Sequence, residues 1–278
     1  MPLKSTKSKV LIPSTKLPLY GKRILVTAPR NYASRLSQEI IHRGGLPILM
    51  PTIETCYLED CSELDTALQS LADFDWITFT SRNGIEAFFQ RLKFLAIPTS
   101  TLKNCQVCAI GKDSERLSAF GLNVDLIPAE SSPQGIITEL SKIADIQQKA
   151  VLVPVPEVVG LPEPDIVPKF VVGLQELGMR VTRVPTYTTK CLDKDIYTVE
   201  LELIRQGKID AIAFSSTAEV EGFLQMVNSP RDYQHCIFAC FGPYTAANTQ
   251  KLGLNVSIIA QDYSSFEGFA EAIATFFT

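Results

Sequence analysis

The feature that most constrains the fold of this chain is an internal repeat. GKRILVTAP at 21–29 corresponds to KAVLVPVP at 149–156, and GGLPILMPTIETC at 44–56 to LGMRVTRVPTYTTKC at 177–191, with Pro51 opposite Pro185. FDWITFTSRNGIEAFF at 74–89 matches IDAIAFSSTAEVEGFL at 209–224, and CQVCAIGKDSERLSAFGLNVDLI at 105–127 matches CIFACFGPYTAANTQKLGLNVSII at 236–259. SPQGIITEL at 132–140 and SFEGFAEAI at 265–273 close the two copies. Blocks recurring in one order predict a duplication, which bears on the whole fold before any single element is assigned. A chain of 278 residues exceeds the usual single core, so two lobes are expected, with a ligand cleft between them.

Each block has the same grammar: a short β-branched apolar run, a turn rich in Ser, Thr, Gly or Pro, then apolar residues at helical spacing, as in ITFT-SRN-GIEAFFQRL. Near-continuous apolar strands alternating with helices predict an α/β fold built on parallel sheets covered on both faces. Right-handed crossovers then bring the strand-to-helix turns to one edge of each sheet, where ligands bind in such folds. These turns are rich in hydroxyls: Thr80 and Ser81; Lys112, Asp113 and Ser114; Ser131 and Ser132; Ser215, Ser216 and Thr217; Tyr244 and Thr245; Ser264 and Ser265. Two readings stand side by side. Each hydroxyl can cap a helix, worth about 1 kcal/mol. Together, turns at helix N-termini offer free N–H groups and positive dipole ends to a ligand carrying several carboxylates or phosphates. No GxxxxGK[ST] loop and no GxGxxG after a strand is present, so a dedicated nucleotide site is not expected.

Composition excludes other classes. No apolar run approaches the roughly 20 residues that span a bilayer, so no membrane span is expected. The net charge is -4 and the Lys and Arg residues are scattered, which argues against a nucleic-acid partner. Seven cysteines lack framework spacing and read as reduced thiols. The Cys105-x-x-Cys108 pair has no second pair to complete a metal site and reads as strand packing, and two histidines, His42 and His235, do not suggest a triad or a metal centre. The first acidic residue is Glu39, and residues 1–19 are rich in Lys, Ser, Thr and Pro, which predicts a flexible extension. A remnant of an organelle-targeting sequence and an ordinary solvated tail both fit that bias.

The motifs LVT-P, FTSRNGIEAFF and AIG, then PTYTT, FSS, GPYTAANTQKLGL and the closing EGFAEAI, in this order over residues 21–278, resemble the uroporphyrinogen-III synthase family, and plant members in particular. The resemblance implies two flavodoxin-like lobes joined by a two-stranded linker: 20–52 plus 189–278 as one lobe, 55–186 as the other, and 51–55 with 185–189 as linkers. It implies cyclisation of hydroxymethylbilane to uroporphyrinogen III, with loss of the hydroxyl as water and inversion of ring D through a spiro intermediate, without metal or cofactor. The substrate's eight carboxylates suit an anion-binding edge.

By the same resemblance Tyr187 in VPTYTT is the catalytic position, and its counterpart in the first repeat is Ile53. Thr27, Arg30, Thr80, Ser81, Lys112, Ser114, Ser132, Ser215, Thr217, Tyr244, Thr245 and Ser265 are implied as substrate-binding. A monomer in the plastid stroma is the implied setting. The chain departs from the family pattern at Ala28, where an Arg is common and Arg30 stands as substitute, and in a stretch read as a loop, 155–168, which carries Glu157, Glu163 and Asp165. Acidic groups facing the site would oppose a polyanion, so the alternative is a non-catalytic paralogue that binds a tetrapyrrole-like polyanion, or a partner protein at that loop.

Overall fold

Strands and helices alternate along the chain, each strand a short apolar run and each helix begun at a turn residue. The computed structural model describes residues 14–110 and 113–278. In chain order the elements are β1 (Arg23–Val26), α1 (Arg30–His42), β2 (Leu46–Leu49), β3 (Ile53–Cys56), α2 (Ser62–Gln69), β4 (Trp76–Phe79), α3 (Arg82–Phe94), β5 (Gln106–Ala109), α4 (Asp113–Ala119), α5 (Pro133–Leu140) and β6 (Ala150–Val159). They continue with α6 (Ile166–Glu176), β7 (Arg180–Cys191), α7 (Thr198–Arg205), β8 (Ala211–Phe214), α8 (Thr217–Met226), α9 (Pro230–Tyr233), β9 (Ile237–Cys240), α10 (Pro243–Lys251), β10 (Val256–Ile259) and α11 (Phe266–Phe276). None of the described helices is long and apolar enough to cross a membrane.

The chain forms two compact units, residues up to 52 with 192–278, and residues 53–191. The first holds the sheet β10-β9-β8-β1-β2, with its strands parallel. The second holds β3-β7-β6-β4-β5, parallel except that β3 runs antiparallel to β7, from Ile53 opposite Cys191 to Cys56 opposite Thr188. Segments 51–55 and 185–189, expected as linkers, therefore fall largely within this strand pair, which the second unit's sheet includes.

Both sheet faces are covered, which explains the unbroken apolar runs. In the second unit, Ile77, Phe79 and Leu152 face α3 and α2 through Phe88, Phe89 and Leu64. Trp76, Val151 and Val153, offset by one residue, face α5 and α6 through Ile136, Phe170 and Leu174. In the first unit, Ile24 and Val26 pack on Leu36 and Ile40 of α1 and on Phe269 and Ile273 of α11.

Two expectations need correction. The 155–168 segment is not one loop: β6 runs through Val159, residues 160–165 form the turn, and α6 begins at Ile166. The β-branched residues Val151, Val153, Val155, Val158 and Val159 sustain the strand, and Pro154 and Pro156 are tolerated because β4 stops pairing with β6 at Leu152. The flexible extension expected over 1–19 is also cut short at its inner end. Leu19 is fully buried in the first unit's core and donates its N–H to the Arg43 carbonyl at 2.9 Å, while residues 1–13 lie outside the described residues.

Phe79 lies edge-on to Phe88 at 5.3 Å and is 2% exposed, so it anchors the second unit's larger apolar cluster. Phe79→Ala is expected to destabilise the protein by about 3–5 kcal/mol through lost burial and a residual cavity. A chemical-denaturation midpoint unchanged from wild type would refute that packing role.

Candidate active site

Parallel strands bring their C-terminal ends to one edge of a sheet, and in the second unit the order turns from β6 to β4, the position where such sheets bind ligands. Thr80 and Ser81 follow β4 there. Ser81 is the N-cap of α3 and its Oγ accepts the Gly84 N–H at 3.1 Å. The same Oγ lies 3.2 Å from the phenol oxygen of Tyr187, a residue 106 positions later in the chain and 8% exposed. Tyr187 reaches this place because β7 carries a bulge. Val155 pairs with Pro185 but Pro156 pairs with Tyr187, so Thr186 is the extra residue, and its hydroxyl donates to the Val155 carbonyl at 3.2 Å. Bulges bend a strand and re-aim the side chains beside them.

The acidic residues that raised doubt are all engaged. Glu157 accepts the Thr188 hydroxyl at 2.9 Å, and Thr188, next to Tyr187 on an extended strand, points to the other face of the sheet. Glu163 forms a two-point ion pair with Arg183 in which Nη1 meets Oε2 at 3.2 Å, and Asp165 pairs with Lys169 at 2.9 Å. Farther along this edge Ser132 caps α5, accepting the Gly135 N–H at 3.0 Å and donating to Glu130 Oε1 at 2.6 Å. A side chain at Gly135 could not exist, since a Cβ there would stand 2.1 Å from the Glu130 carbonyl oxygen. Lys112 lies outside the described residues, and Ser114 is placed by its backbone alone, in the first turn of α4.

The first unit gathers its candidates at the matching edge. Ser215 and Ser216 follow β8 and lead into Thr217 at the start of α8, whose hydroxyl accepts from Asn248 Nδ2 at 3.4 Å. Tyr244 is exposed in the first turn of α10. Ser265 caps α11, accepting the Gly268 N–H at 3.1 Å and donating to Asp262 Oδ2 at 2.9 Å. Arg30 is exposed at the first position of α1, with Ala28 fully buried behind it. The helices α1 and α10 begin at Pro29 and Gly242 without a side-chain cap, so their first N–H groups have no hydroxyl of their own to satisfy them.

Two expected binding residues do not present a hydroxyl at the surface. Thr27 is fully buried, with Oγ1 2.8 Å from both the Ala213 carbonyl and Glu219 Oε2, and Thr245 is 7% exposed with its carbonyl taken by Thr249 Oγ1 at 2.7 Å. Glu219 itself was missed, although Ser216-Thr217-Ala218-Glu219 has the spacing of a capping box. Its carboxyl is 1% exposed and receives the Ser215 N–H at 2.8 Å, the Ser215 hydroxyl, and the Ser216 hydroxyl at 3.1 Å. Burial pushes its pKa above the usual carboxylate value, against the pull of these hydrogen bonds. Among the described residues there is no cluster of three His, Cys, Asp or Glu able to hold a metal ion.

Comparison with known proteins decides the family. The model of the family described as Uroporphyrinogen-III synthase HemD matches residues 34–269. The chain belongs to the uroporphyrinogen-III synthase family. It is 30% identical over 254 residues to the uroporphyrinogen-III synthase of Synechococcus elongatus, covering 89% of this chain and 92% of that protein. It is 24% identical over 257 residues to the chloroplastic uroporphyrinogen-III synthase of Oryza sativa subsp. japonica, covering 90% and 79% respectively. A crystal structure of a mutant uroporphyrinogen III synthase from the extremely thermophilic bacterium Thermus thermophilus shares the fold, with a TM-score of 0.64 at 19% identity, over 91% of this chain and 99% of that one. These findings agree with the resemblance carried by the motifs.

The cysteines stand outside the family's chemistry. Burial pushes the Cys105, Cys108 and Cys236 thiols up to about 12 and Cys240 to about 11, so almost no thiolate exists at neutral pH. Alkylation of the native protein followed by mass spectrometry should leave these four unmodified, with labelling confined to the half-buried Cys56, Cys61 and Cys191. Rapid labelling of Cys105 or Cys108 would contradict the packing assigned to them.

Proposed function

We propose that this chain is a uroporphyrinogen-III synthase that closes hydroxymethylbilane to uroporphyrinogen III, with Tyr187 as the proton donor to the departing hydroxyl. The observation that carries this is the Ser81–Tyr187 contact at the C-terminal edge of the second unit's sheet. Ser81 Oγ accepts the Gly84 N–H and lies within hydrogen-bond distance of Tyr187 Oη, which holds the phenol at the sheet edge in position to protonate the departing oxygen. In the first step the C–O bond of the hydroxymethyl group breaks, the phenol proton leaves with the oxygen as water, and the pyrrole nitrogen supplies the electron pair. Attack at the substituted carbon of the last ring then gives the spiro intermediate. The original bond from that carbon to its bridging methylene breaks, the methylene rebonds at the ring's unsubstituted α-carbon, and the proton lost from that carbon restores the pyrrole and the phenol. A positioned general acid contributes roughly 10²-fold or more.

Thr80, Ser81, Ser132, Ser215, Thr217, Tyr244 and Ser265, with Arg30 and the turn bearing Lys112 and Ser114, are the groups we assign to substrate carboxylates. Thr27 and Thr245 act from beneath the surface. Glu163 and Asp165 are each paired with a cation and Glu157 is held by Thr188 on the sheet face opposite Tyr187, and this favours the enzyme over a non-catalytic paralogue.

The proposed ancestry is a duplication in which the copies exchange strands. β1 and β2 of the first copy join β8, β9 and β10 of the second, β6 and β7 of the second join β4 and β5 of the first, and both sheets then read in the same doubly wound order. The antiparallel β3–β7 pair would be the two-stranded linker. The setting we infer is a monomer in the plastid stroma, in line with the chloroplastic name of the rice relative; a fluorescent fusion of the full chain that stays outside plastids would reject that location.

The test is the uroporphyrin isomer ratio after incubation with fresh hydroxymethylbilane. Wild type should give predominantly isomer III, and Tyr187→Phe should lower kcat by roughly 10²-fold with little change in KM. Isomer I alone, the product of uncatalysed closure, would reject the enzymatic reading, and a fully active Tyr187→Phe would remove Tyr187 from the chemistry.

A further inference from the structure

The serine-capped turns before α3, α5, α8 and α11 are alike except at one place. Ser81, Ser132 and Ser265 are each followed three residues later by a glycine whose N–H they accept, Gly84, Gly135 and Gly268. After Ser216 that place is taken by Glu219. The exception extends to the neighbouring strand. Gly84 stands near Pro154, where a Cβ would meet the Pro154 carbonyl oxygen at 3.8 Å, and the residue matching Pro154 in the first copy is Thr27. A proline and glycine in one unit are thus replaced in the other by a hydroxyl and a carboxyl that touch.

The protons around that contact can be counted. Thr27 Oγ1 lies 2.8 Å from two oxygens, the Ala213 carbonyl and Glu219 Oε2. A threonine hydroxyl has one proton to give, and a backbone carbonyl can only accept. If that proton goes to Ala213, the short contact to Glu219 needs a proton on the carboxyl. The remaining contacts are consistent with a neutral acid: the Ser215 N–H reaches Oε2, and the Ser215 and Ser216 hydroxyls reach Oε1. The balance at Glu219 is set by burial and these hydrogen bonds, with no cation in it.

We propose that Glu219 is held as a neutral carboxylic acid that donates to Thr27, so that the β8–α8 turn above it accepts a substrate carboxylate without a like charge beneath. This rests on the reading of that turn as a carboxylate subsite. Glu219 is then a positioning residue: it fixes Ser215 and Ser216 from below, and the Thr52 hydroxyl, donating to the Glu219 carbonyl at 2.9 Å, ties the end of β2 to the same turn. Of the other titratable groups on the surrounding elements, Cys240 on β9 is a thiol that stays neutral below about 11, Glu221 is half-buried on α8, and Arg30 is exposed at the start of α1. Thr27, Ser215 and Thr52 do not titrate.

Infrared spectroscopy of the full chain at neutral pH reads the first part directly. A carbonyl band of a protonated carboxylic acid should be present in wild type and missing from Glu219→Gln; superimposable spectra would overturn the proposal. Should Glu219→Gln fail to fold, Thr27→Val serves instead, and must shift the band by removing its acceptor. For the second part, KM for hydroxymethylbilane in wild type should rise on the order of fivefold relative to Glu219→Gln as the pH is raised past the point at which the infrared band of the protonated acid disappears. Parallel KM profiles would overturn the subsite role. If neither protein turns over, the synthase reading fails by itself. The infrared band still decides the protonation state, and the pH dependence of uroporphyrin III binding decides the subsite.

Discussion

Parallel strand pairing is the constraint on which the rest of this structure depends. Parallel neighbours cannot be joined by a hairpin, so each strand must be followed by a crossover, here mostly helical, and the crossovers cover both faces of each sheet. Two consequences follow from that one requirement. The strands become apolar along their whole length, as in β8, where every residue is buried. The polar residues are driven to the strand ends, which parallel pairing lines up on one edge. The functional groups collect there because the interior of the sheet has no place for them.

The two units use this edge differently, and the difference lies in a few side chains. In the second unit the glycine after Ser81 leaves room, and the bulge at Thr186 delivers Tyr187 to the serine hydroxyl. In the first unit Glu219 takes the place of that glycine and Thr27 the place of Pro154, and the serines turn inward to the carboxyl. One unit thus offers a phenol and the other a rigid hydroxyl-lined turn. A repeat that began with equal halves would need such divergence before it could invert one ring of four.

Much of the fold was legible in the sequence because it follows local rules. Ser81, Ser132, Ser216 and Ser265 sit where helices were expected to begin, and each caps. The repeat pointed to two lobes, and the family resemblance implied that their chain segments interleave. The errors arose where a local signal was overruled by a neighbour. Proline and acidic residues at 155–168 suggested a loop, but β7 continues alongside and β4 stops, so the strand persists where its prolines do no harm. Leu19 looked like part of a tail, but it is buried in the core formed with α1, β1 and α11. The Ser81–Tyr187 contact was not legible at all, since it depends on one inserted residue in one strand. Glu219 was legible, as the fourth residue of a Ser-x-x-Glu box, and was passed over because capping explained its neighbours well enough.

Capping and anion binding, which the sequence left as rival readings of the same hydroxyls, turn out to be compatible. In α3, α5, α8 and α11 the serine takes the N–H of the third helical residue. The positive end of each helix dipole stands behind its turn. The cap fixes the turn in the conformation that an anion would require, so the ordering cost is met by folding instead of binding. A serine can do this because it is short and neutral. Glu219 in the same turn is acceptable on the same terms only while it carries its proton, because an ionised carboxyl at that depth would oppose an anion at the proposed subsite.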